Sequence, residues 1–477
     1  MKTKNLKILG GICLAMISAN LFAQNKDKKP NIVFIMADDL GYGELGSYGN
    51  TFSETPNLDK LATQSMRFTQ AYVAAPICSP SRVALMTGQY PARVGITDFL
   101  PAKTDRWLDP AKYFTINEAL GQVGYHTGII GKWHLDTDYI TNKGGPKAHG
   151  FDEVIGSETK YIGDGDYFFP YDKISTFPTG KENEYLTDRQ SEEACKYIER
   201  NKDQPFYLYL AYYSVHTSLD APESIVNKYK QKFDKKYGAG SAEKLYGKEN
   251  PNHNSKNVDN PYLAAMLERI DSGVGSIMET LKANHLDENT ILVFFSDNGG
   301  PAKTGNNGVL RAGKSWLYEG GIREPLIVRW TGKIKPGTVN DTPISSVDFY
   351  PTFTSAAGAD VKGKELLDGV NLLPLWVNDK KLDRDVLFWH YPSETGQWTN
   401  KMSSAVRKGD FKLIEFYNDH HLELYNIKND ISEKNNLAKE LPAKTKELKK
   451  LLDDWRTEVN AEVPVINKNA KAKKEDG

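Results

Sequence analysis

Two strand-like segments of this chain end on oxygen donors and nothing softer: NIVFIMADDLGYG on Asp38 and Asp39, and NTILVFFSDNGG on Asp297 and Asn298. Carboxylates and amide carbonyls suit a hard divalent cation such as Ca²⁺, which gathers about 6–8 oxygens, whereas zinc favours histidine or cysteine. Each segment alone also fits a helix cap or a simple turn; the same plan at the ends of two buried strands argues for one shared cation site. Cations and imidazoles follow other strand-like runs. GIIGKWHLD offers Lys132 and His134, which as extended residues two apart would share a face; YYSVHTSLD offers His216, and AGKSWLYEGGIREP offers Lys314. Together they could hold an anion and move protons around it. AAPICSPSR adds Cys78 and Arg82. On the residues alone Cys78 is open to four readings: buried filler, half of a disulfide, a thiolate nucleophile, or the precursor of another group.

These side chains need a frame that brings distant segments together. Ile32–Ala37 and Ile291–Phe295 read as strands buried on both faces. YHTGIIG and PFYLYLAYYS read the same way, while TPNLDKLATQSMRF and TINEALGQVGY read as helices. Strand and helix alternate to about residue 350, which predicts an α/β fold: a large, mixed, mostly parallel sheet sandwiched by helices. Ligands of such sheets bind beyond the carboxyl ends of the strands, where Asp38, Lys132, His216 and Asp297 all fall. Past residue 370 the pattern changes. DVLFWHYP, SSAVRKGDFKLIEFY and HLELYNI predict antiparallel strands, and LPAKTKELKKLLDDWRTEV a helix, giving a smaller C-terminal α+β subdomain. The expected division is 24–370 for the catalytic α/β domain, 371–466 for the subdomain and 467–477 for a lysine-rich disordered tail.

The N-terminus carries three lysines in MKTKNLK, then an apolar run of roughly 15 residues, short of the roughly 18 that span a bilayer, and small residues up to Ala23. That is the layout of a secretory signal peptide over residues 1–23, so the expectation is export to the periplasm or beyond, without a membrane anchor. Ile12 before Cys13 does not fit a lipoprotein cleavage site, where a small residue is required. Cys195 lies in LTDRQSEEACKYIERN on the face shared by Ala194, Tyr197 and Ile198 and reads as a small buried hydrophobe rather than a partner for Cys78. With 61 Lys and Arg against 62 Asp and Glu, the chain has no global basic field to collect nucleic acid. Any anion must be held by a few local cations.

Cys78-x-Pro80-Ser81-Arg82, followed by ALMTGQYPAR, resembles the signature of the formylglycine-dependent sulfatases, arylsulfatase-like members of the alkaline phosphatase superfamily. NIVFIMADDLGYG, GKWH, SDNGG and AGKSWLYEGGIREP match as well, in the family's order. The resemblance implies that a maturation enzyme oxidises Cys78 to formylglycine (3-oxoalanine), which is hydrated in the site. It implies that Asp38, Asp39, Asp297 and Asn298 bind Ca²⁺, with the modified Cys78 as a further ligand. The hydrate would attack the sulfur of a sulfate ester, assisted by Arg82, while Lys132 and Lys314 clamp the sulfate oxygens. His216 would protonate the leaving oxygen, and His134 would take a proton from the remaining hydroxyl so that sulfate is expelled. One departure stands out: relatives often carry a proline two residues after the histidine equivalent to His216, and this chain has Ser218.

The expected substrate is a sulfated carbohydrate, such as algal sulfated polysaccharide. A glycosaminoglycan sulfatase, and a phosphonate monoester or phosphodiester hydrolase using the same formylglycine site, stay open. Arg106-Trp107, His149, Trp389-His390-Tyr391 and His420-His421 are candidates for stacking on sugars at the rim, and core packing explains them equally well.

Overall fold

The structure, a computed structural model, describes residues 28–101, 105–136, 143–157, 167–171, 174–247, 259–360, 366–393 and 399–464. The signal peptide read at 1–23 and the tail read at 467–477 lie outside the described residues.

The continuous apolar runs become the middle of a nine-stranded sheet. Its strands are β1 (Asn31–Ala37), β2 (Met66–Tyr72), β3 (His126–Gly131), β4 (Glu153–Ile155), β5 (Phe206–Ala211), β6 (Thr290–Ser296), β7 (Arg323–Trp330), β8 (Thr338–Asn340) and β9 (Ile344–Ser345). Along the sheet the order is β4-β3-β5-β1-β6-β7-β2-β8, with β9 beside β2. β1 pairs in parallel with β5 on one side and β6 on the other, and β3 is parallel to β5. β7 runs antiparallel to both neighbours, so the sheet is mixed. The chain leaves β1 in both directions, and its Asp38-Asp39 end is therefore the switch point where a crevice opens.

Both faces are covered, which is why the strands carry unbroken Ile, Val, Leu and Phe rather than alternation. Ile32, Phe34 and Met36 point into one core, shared with helix α1 (Cys78–Thr87); Val33, Ile35 and Ala37 point into the other, shared with α2 (Leu186–Asn201), α3 (Glu223–Tyr237) and α4 (Pro261–Ala283). One expectation fails locally. TPNLDKLATQSMRF is not one helix: the helix stops at Thr63, and Met66-Arg67-Phe68 opens β2. Pairing with β7 and β8 on both sides outweighs the local helical pattern, as tertiary context commonly does.

A second sheet, β10 (Val386–Tyr391), β11 (Ser403–Lys408), β12 (Phe411–Phe416) and β13 (Leu422–Asn426), is antiparallel throughout. One face packs on α5 (Pro442–Glu458) through Val406, Leu413, Leu448, Leu452 and Trp455. The other closes on the main core, where the Trp389 indole N–H donates to Val73 O at 2.8 Å. Lys412 lies in this seam between Glu319 (2.9 Å) and Glu433 (3.0 Å), all three buried. Buried charges need partners on every side, so the second sheet is docked with defined register. Among the described residues no helix is long and apolar enough to cross a membrane.

Candidate active site

Every residue singled out for chemistry, apart from those on α1 and Lys314, follows a strand at one edge of the sheet. Asp38 and Asp39 follow β1, Lys132 and His134 follow β3, His216 lies in the loop after β5, and Asp297 and Asn298 follow β6. The two acidic loops are laced together: the Asp39 N–H donates to Asp297 Oδ1 at 3.0 Å, the Leu40 N–H to Ser296 Oγ at 3.1 Å, and Asn298 Nδ2 to Asp39 Oδ1 at 2.7 Å. Asp39 takes positive φ, a region that Asp tolerates better than most residues, and the chain turns sharply off β1 there.

Cys78 is the first residue of α1, after an extended Ile77. Arg82 comes one turn later and so lies on the same face of the helix. Fully buried, it donates through Nε (3.1 Å) and Nη2 (2.6 Å) to Asp297 Oδ2 and through Nη1 (2.8 Å) to Lys132 O. Lys132 Nζ reaches Asp38 Oδ2 at 2.6 Å, and Lys314 Nζ reaches Asp39 Oδ2 at 2.7 Å and His216 Nε2 at 3.3 Å. Three buried carboxylates thus face three cations.

Lys314 owes its place to glycine. Its N–H donates to Gly300 O, and the next one, of Ser315, to Pro76 O, so the loop is sewn between the DNGG turn and the segment before Cys78. A Cβ on Gly313 would stand 2.1 Å from Gly300 O, and one on Gly299 would stand 1.9 Å from Gly320 O. Only backbone without a side chain can approach so closely.

Burial and charge set the protonation states. Burial pushes the Cys78 thiol up despite Lys132 and Lys314 nearby, which works against a thiolate. Cys78 and Cys195 are both free, and the disulfide reading falls too. Burial, followed by the Lys314 ammonium, holds the His216 ring down at about 3. Burial and the Asp297 carboxylate push Asp38 up; for Asp39, burial is outweighed by Lys314, His216 and Lys132, and the carboxyl ends well below the ordinary range.

The donor set fits a hard divalent cation. Asn298 Oδ1 is a buried oxygen atom without a hydrogen-bond partner, and Asp38 Oδ1 likewise makes no hydrogen bond, with Arg82 Nη2 at 3.8 Å. Lone pairs so enclosed are costly unless something positive meets them. One ligand atom each from Asp38, Asp39 and His216 falls within 4.8 Å of the others, but His216 Nε2 already faces an ammonium, which leaves the oxygens as the ligands of choice.

His134 is positioned differently from the expectation. β3 ends at Gly131 and His134 has positive φ, so it shares no extended face with Lys132. Its Nε2–H donates to Leu100 O at 3.1 Å, and the Leu100 N–H donates to Ser79 Oγ beside Cys78. The tautomer this fixes makes Nδ1 the basic nitrogen. Among the rim candidates, His149, Trp389, His390 and Tyr391 are buried. The His149 ring packs against Trp133 and bonds Leu108 O; Trp389 and Tyr391 join the main core, and His390 is enclosed by Ser404, Tyr417 and Glu462 O.

Three residues of the site carried no signal that the sequence reading used. Ser296 Oγ accepts from Leu40 N–H and donates to Asn298 O, yet it read as the last residue of a strand. Tyr209, in an aromatic strand, points its hydroxyl at Arg82 (3.4 Å). Glu324, in the quoted IREP, is buried with both oxygens lacking a hydrogen-bond partner; burial, then Asp297 and Asp39, push its carboxyl up.

Comparison with known proteins gives the same picture. Residues 30–359 match the family model described as "Sulfatase", and residues 311–459 match "N-sulphoglucosamine sulphohydrolase, C-terminal". A "Sulfatase" of Formosa agariphila is 30% identical, covering 93% of this chain and 90% of the relative. "Arylsulfatase A" of Bos taurus is 33% identical over 81% of this chain and 75% of its own. The crystal structure of "Ps i-CgsB", also determined with k-i-k-neocarrahexaose, superposes with a TM-score of 0.76 at 33% identity, covering 90% of this chain and 93% of that one. With a family match over most of its length, and with the acidic strand ends, the Cys78 helix and the clustered cations gathered at one sheet edge, this chain belongs to the sulfatase family and hydrolyses sulfate esters.

Proposed function

We propose that the chain is an exported sulfatase that removes sulfate from sulfated carbohydrate, an algal polysaccharide or its oligosaccharides, through a formylglycine hydrate at residue 78 with Ca²⁺ beside it. The observation that carries this is the convergence on the Cys78 end of α1 of Asp38, Asp39, Asp297 and Asn298 with Arg82, Lys132 and Lys314. A sulfate ester is an anion that repels nucleophiles, so its hydrolysis calls for fixed positive charge in a water-poor pocket. Ca²⁺ held by Asp38, Asp39, Asp297, Asn298 and residue 78 would supply Lewis acidity, a contribution of several kcal/mol in such sites. Formylglycine, made from Cys78 by a maturation enzyme, supplies a geminal diol: one hydroxyl to attack sulfur, the other to expel sulfate afterwards.

The chain's own residues do the rest. Arg82, locked by its fork on Asp297, holds the oxygens of residue 78 in line. Lys132 and Lys314 bind the non-bridging sulfate oxygens, each ammonium moving from a carboxylate to the anion. His216 would stand at the leaving alcohol oxygen and relay to it a proton drawn from the Lys314 ammonium, which donates to Nε2 at 3.3 Å. His134, with Nδ1 as its basic nitrogen, accepts the proton of the second hydroxyl. In net balance the sulfate ester and one water give the alcohol, sulfate and one proton, with the S–O ester bond broken and residue 78 returned to its hydrated form.

Support for the carbohydrate substrate comes from the neighbour solved with a carrahexaose and from the leader-like N-terminus. The test is to produce the protein with and without a formylglycine-generating enzyme, read the Cys78 peptide by mass spectrometry, and measure sulfate release from 4-nitrocatechol sulfate and a panel of sulfated oligosaccharides. Activity that tracks the aldehyde supports the reading; equal activity with an unmodified thiol refutes it.

A further inference from the structure

A cavity of about 730 Å³ opens at the same sheet edge as the candidate active site, within the usual size of small-ligand clefts. The first turns of α3 and α4 bound it, with Asn183 just ahead of α2. All three helices have their N-termini at the carboxyl edge of the parallel strands, since α2 and α4 run back to feed β5 and β6, and α3 departs from the end of β5. The loop that carries His216 runs straight into the wall, through Ser218 and Asp220. Two tyrosines hold that loop: Tyr167 OH donates to Tyr213 O and His216 O, both at 3.0 Å, and Tyr185 OH donates to Asp220 O at 2.8 Å. The lining of the cavity begins at Ser218, two residues beyond His216.

The lining suits a sugar and sets its charge. Phe168 and Tyr262 give ring faces, Ser218 and Asn227 give hydroxyl and amide groups, and Asp220 and Glu223 give carboxylates. The cation among them, Lys230, is engaged by Glu243 at 2.8 Å and lies over the Tyr262 ring. Asp220 and Glu223 thus outnumber the one cation of the lining, which Glu243 already engages.

We propose that this cavity is a subsite for the sugar next to the one that carries the scissile sulfate, and that it accepts a ring bearing no sulfate. The proposal rests on the sulfatase reading with His216 at the leaving oxygen, and it narrows the substrate to chains in which a sulfated sugar alternates with a neutral one. A second sulfate on the neighbouring ring would meet Asp220 and Glu223, and like charges so placed are a strong means of rejection.

The test uses the formylglycine-bearing full chain and four probes: 4-nitrocatechol sulfate, galactose monosulfates, tetrasaccharides of κ-carrageenan and porphyran, whose alternate sugars are unsulfated, and the ι-carrageenan tetrasaccharide, whose neighbouring sugar is sulfated. At least one alternately sulfated tetrasaccharide is expected to exceed the monosaccharide sulfates in kcat/KM by about tenfold, mainly through KM, and to exceed the ι tetrasaccharide similarly. Asn227→Trp, an exposed change at the mouth, lowers the ratio of tetrasaccharide to aryl sulfate kcat/KM about tenfold. The double variant Asp220→Asn, Glu223→Gln narrows the discrimination against the ι tetrasaccharide. Equal rates on monosaccharide and tetrasaccharide, preference for the ι probe, no cleavage of any tetrasaccharide by an enzyme that cleaves aryl sulfate, or an unchanged ratio in a folded Asn227→Trp variant overturns the subsite. Failure to release sulfate from any of the probes refutes the underlying sulfatase mechanism instead.

Discussion

Gly313→Ala tests how Lys314 is held without touching a group that does chemistry. The new Cβ would lie 2.1 Å from Gly300 O and 2.6 Å from Asn307 Nδ2. Carbon and carbonyl oxygen settle at about 3.3 Å, so the loop must retreat by about 1.2 Å. Asn307 cannot yield freely, because its amide already donates to Gly300 O and Ala312 O. The retreat carries Lys314 Nζ away from Asp39 Oδ2, now at 2.7 Å. A misplacement of about 1 Å costs about a hundredfold, equivalent to about 2.7 kcal/mol of transition-state binding. The stability cost of such overpacking is about 1–3 kcal/mol. With an unfolding entropy of about 2.1 cal/mol/K per residue over a chain this long, Tm falls by only about 1–3 °C. Initial rates on 4-nitrocatechol sulfate and calorimetry separate the two effects. Gly121→Ala is the control, because its Cβ meets nothing within 4 Å and Gly121 closes a helix; it leaves the rate unchanged. A Gly313→Ala enzyme with more than half the wild-type kcat/KM at unchanged Tm would show that the close approach does not position Lys314.

Arg82→Met strands Asp297 and Asp38 as buried charges and lowers stability by about 3–5 kcal/mol; calorimetry should show Arg82→Lys in between, because a lysine cannot reproduce the fork. Chelation abolishes sulfate release and lowers Tm, Ca²⁺ restores both, and a Tm indifferent to Ca²⁺ would count against the cation site. In Asp297→Asn the restoration disappears. Cys78→Ser releases sulfate at under about 1% of the wild-type rate in multiple turnover, since a single hydroxyl cannot drive the second half of the reaction; rapid turnover by the serine enzyme would sink the mechanism. Reducing agent leaves Tm unmoved, because Cys78 and Cys195 are free.

The amino-acid sequence by itself determined which segments are strands buried on both faces, that their acidic and basic residues fall at carboxyl ends, and that the CSPSR, GKWH, SDNGG and AGKSWLYEGGIREP segments keep sulfatase company. Local pattern carries these because an unbroken apolar run, or a glycine pair after a carboxylate, is a property of neighbours along the chain. Only the tertiary structure decided what depends on meetings across the sheet. That Met66-Arg67-Phe68 is strand follows from its partners in β7 and β8; that His134 is oriented by Leu100 and Ser79, and not by alternation with Lys132, follows from a turn no periodicity shows. Trp389, His390 and Tyr391 read equally well as rim or core until the packing of their sheet between the main core and the C-terminal segment buried them. Glu324 and Ser296 looked like ordinary strand residues. Their roles come from which carboxylates lie beside them, and that is fixed by long-range pairing, where the energy of a buried charge depends on every element packed around it.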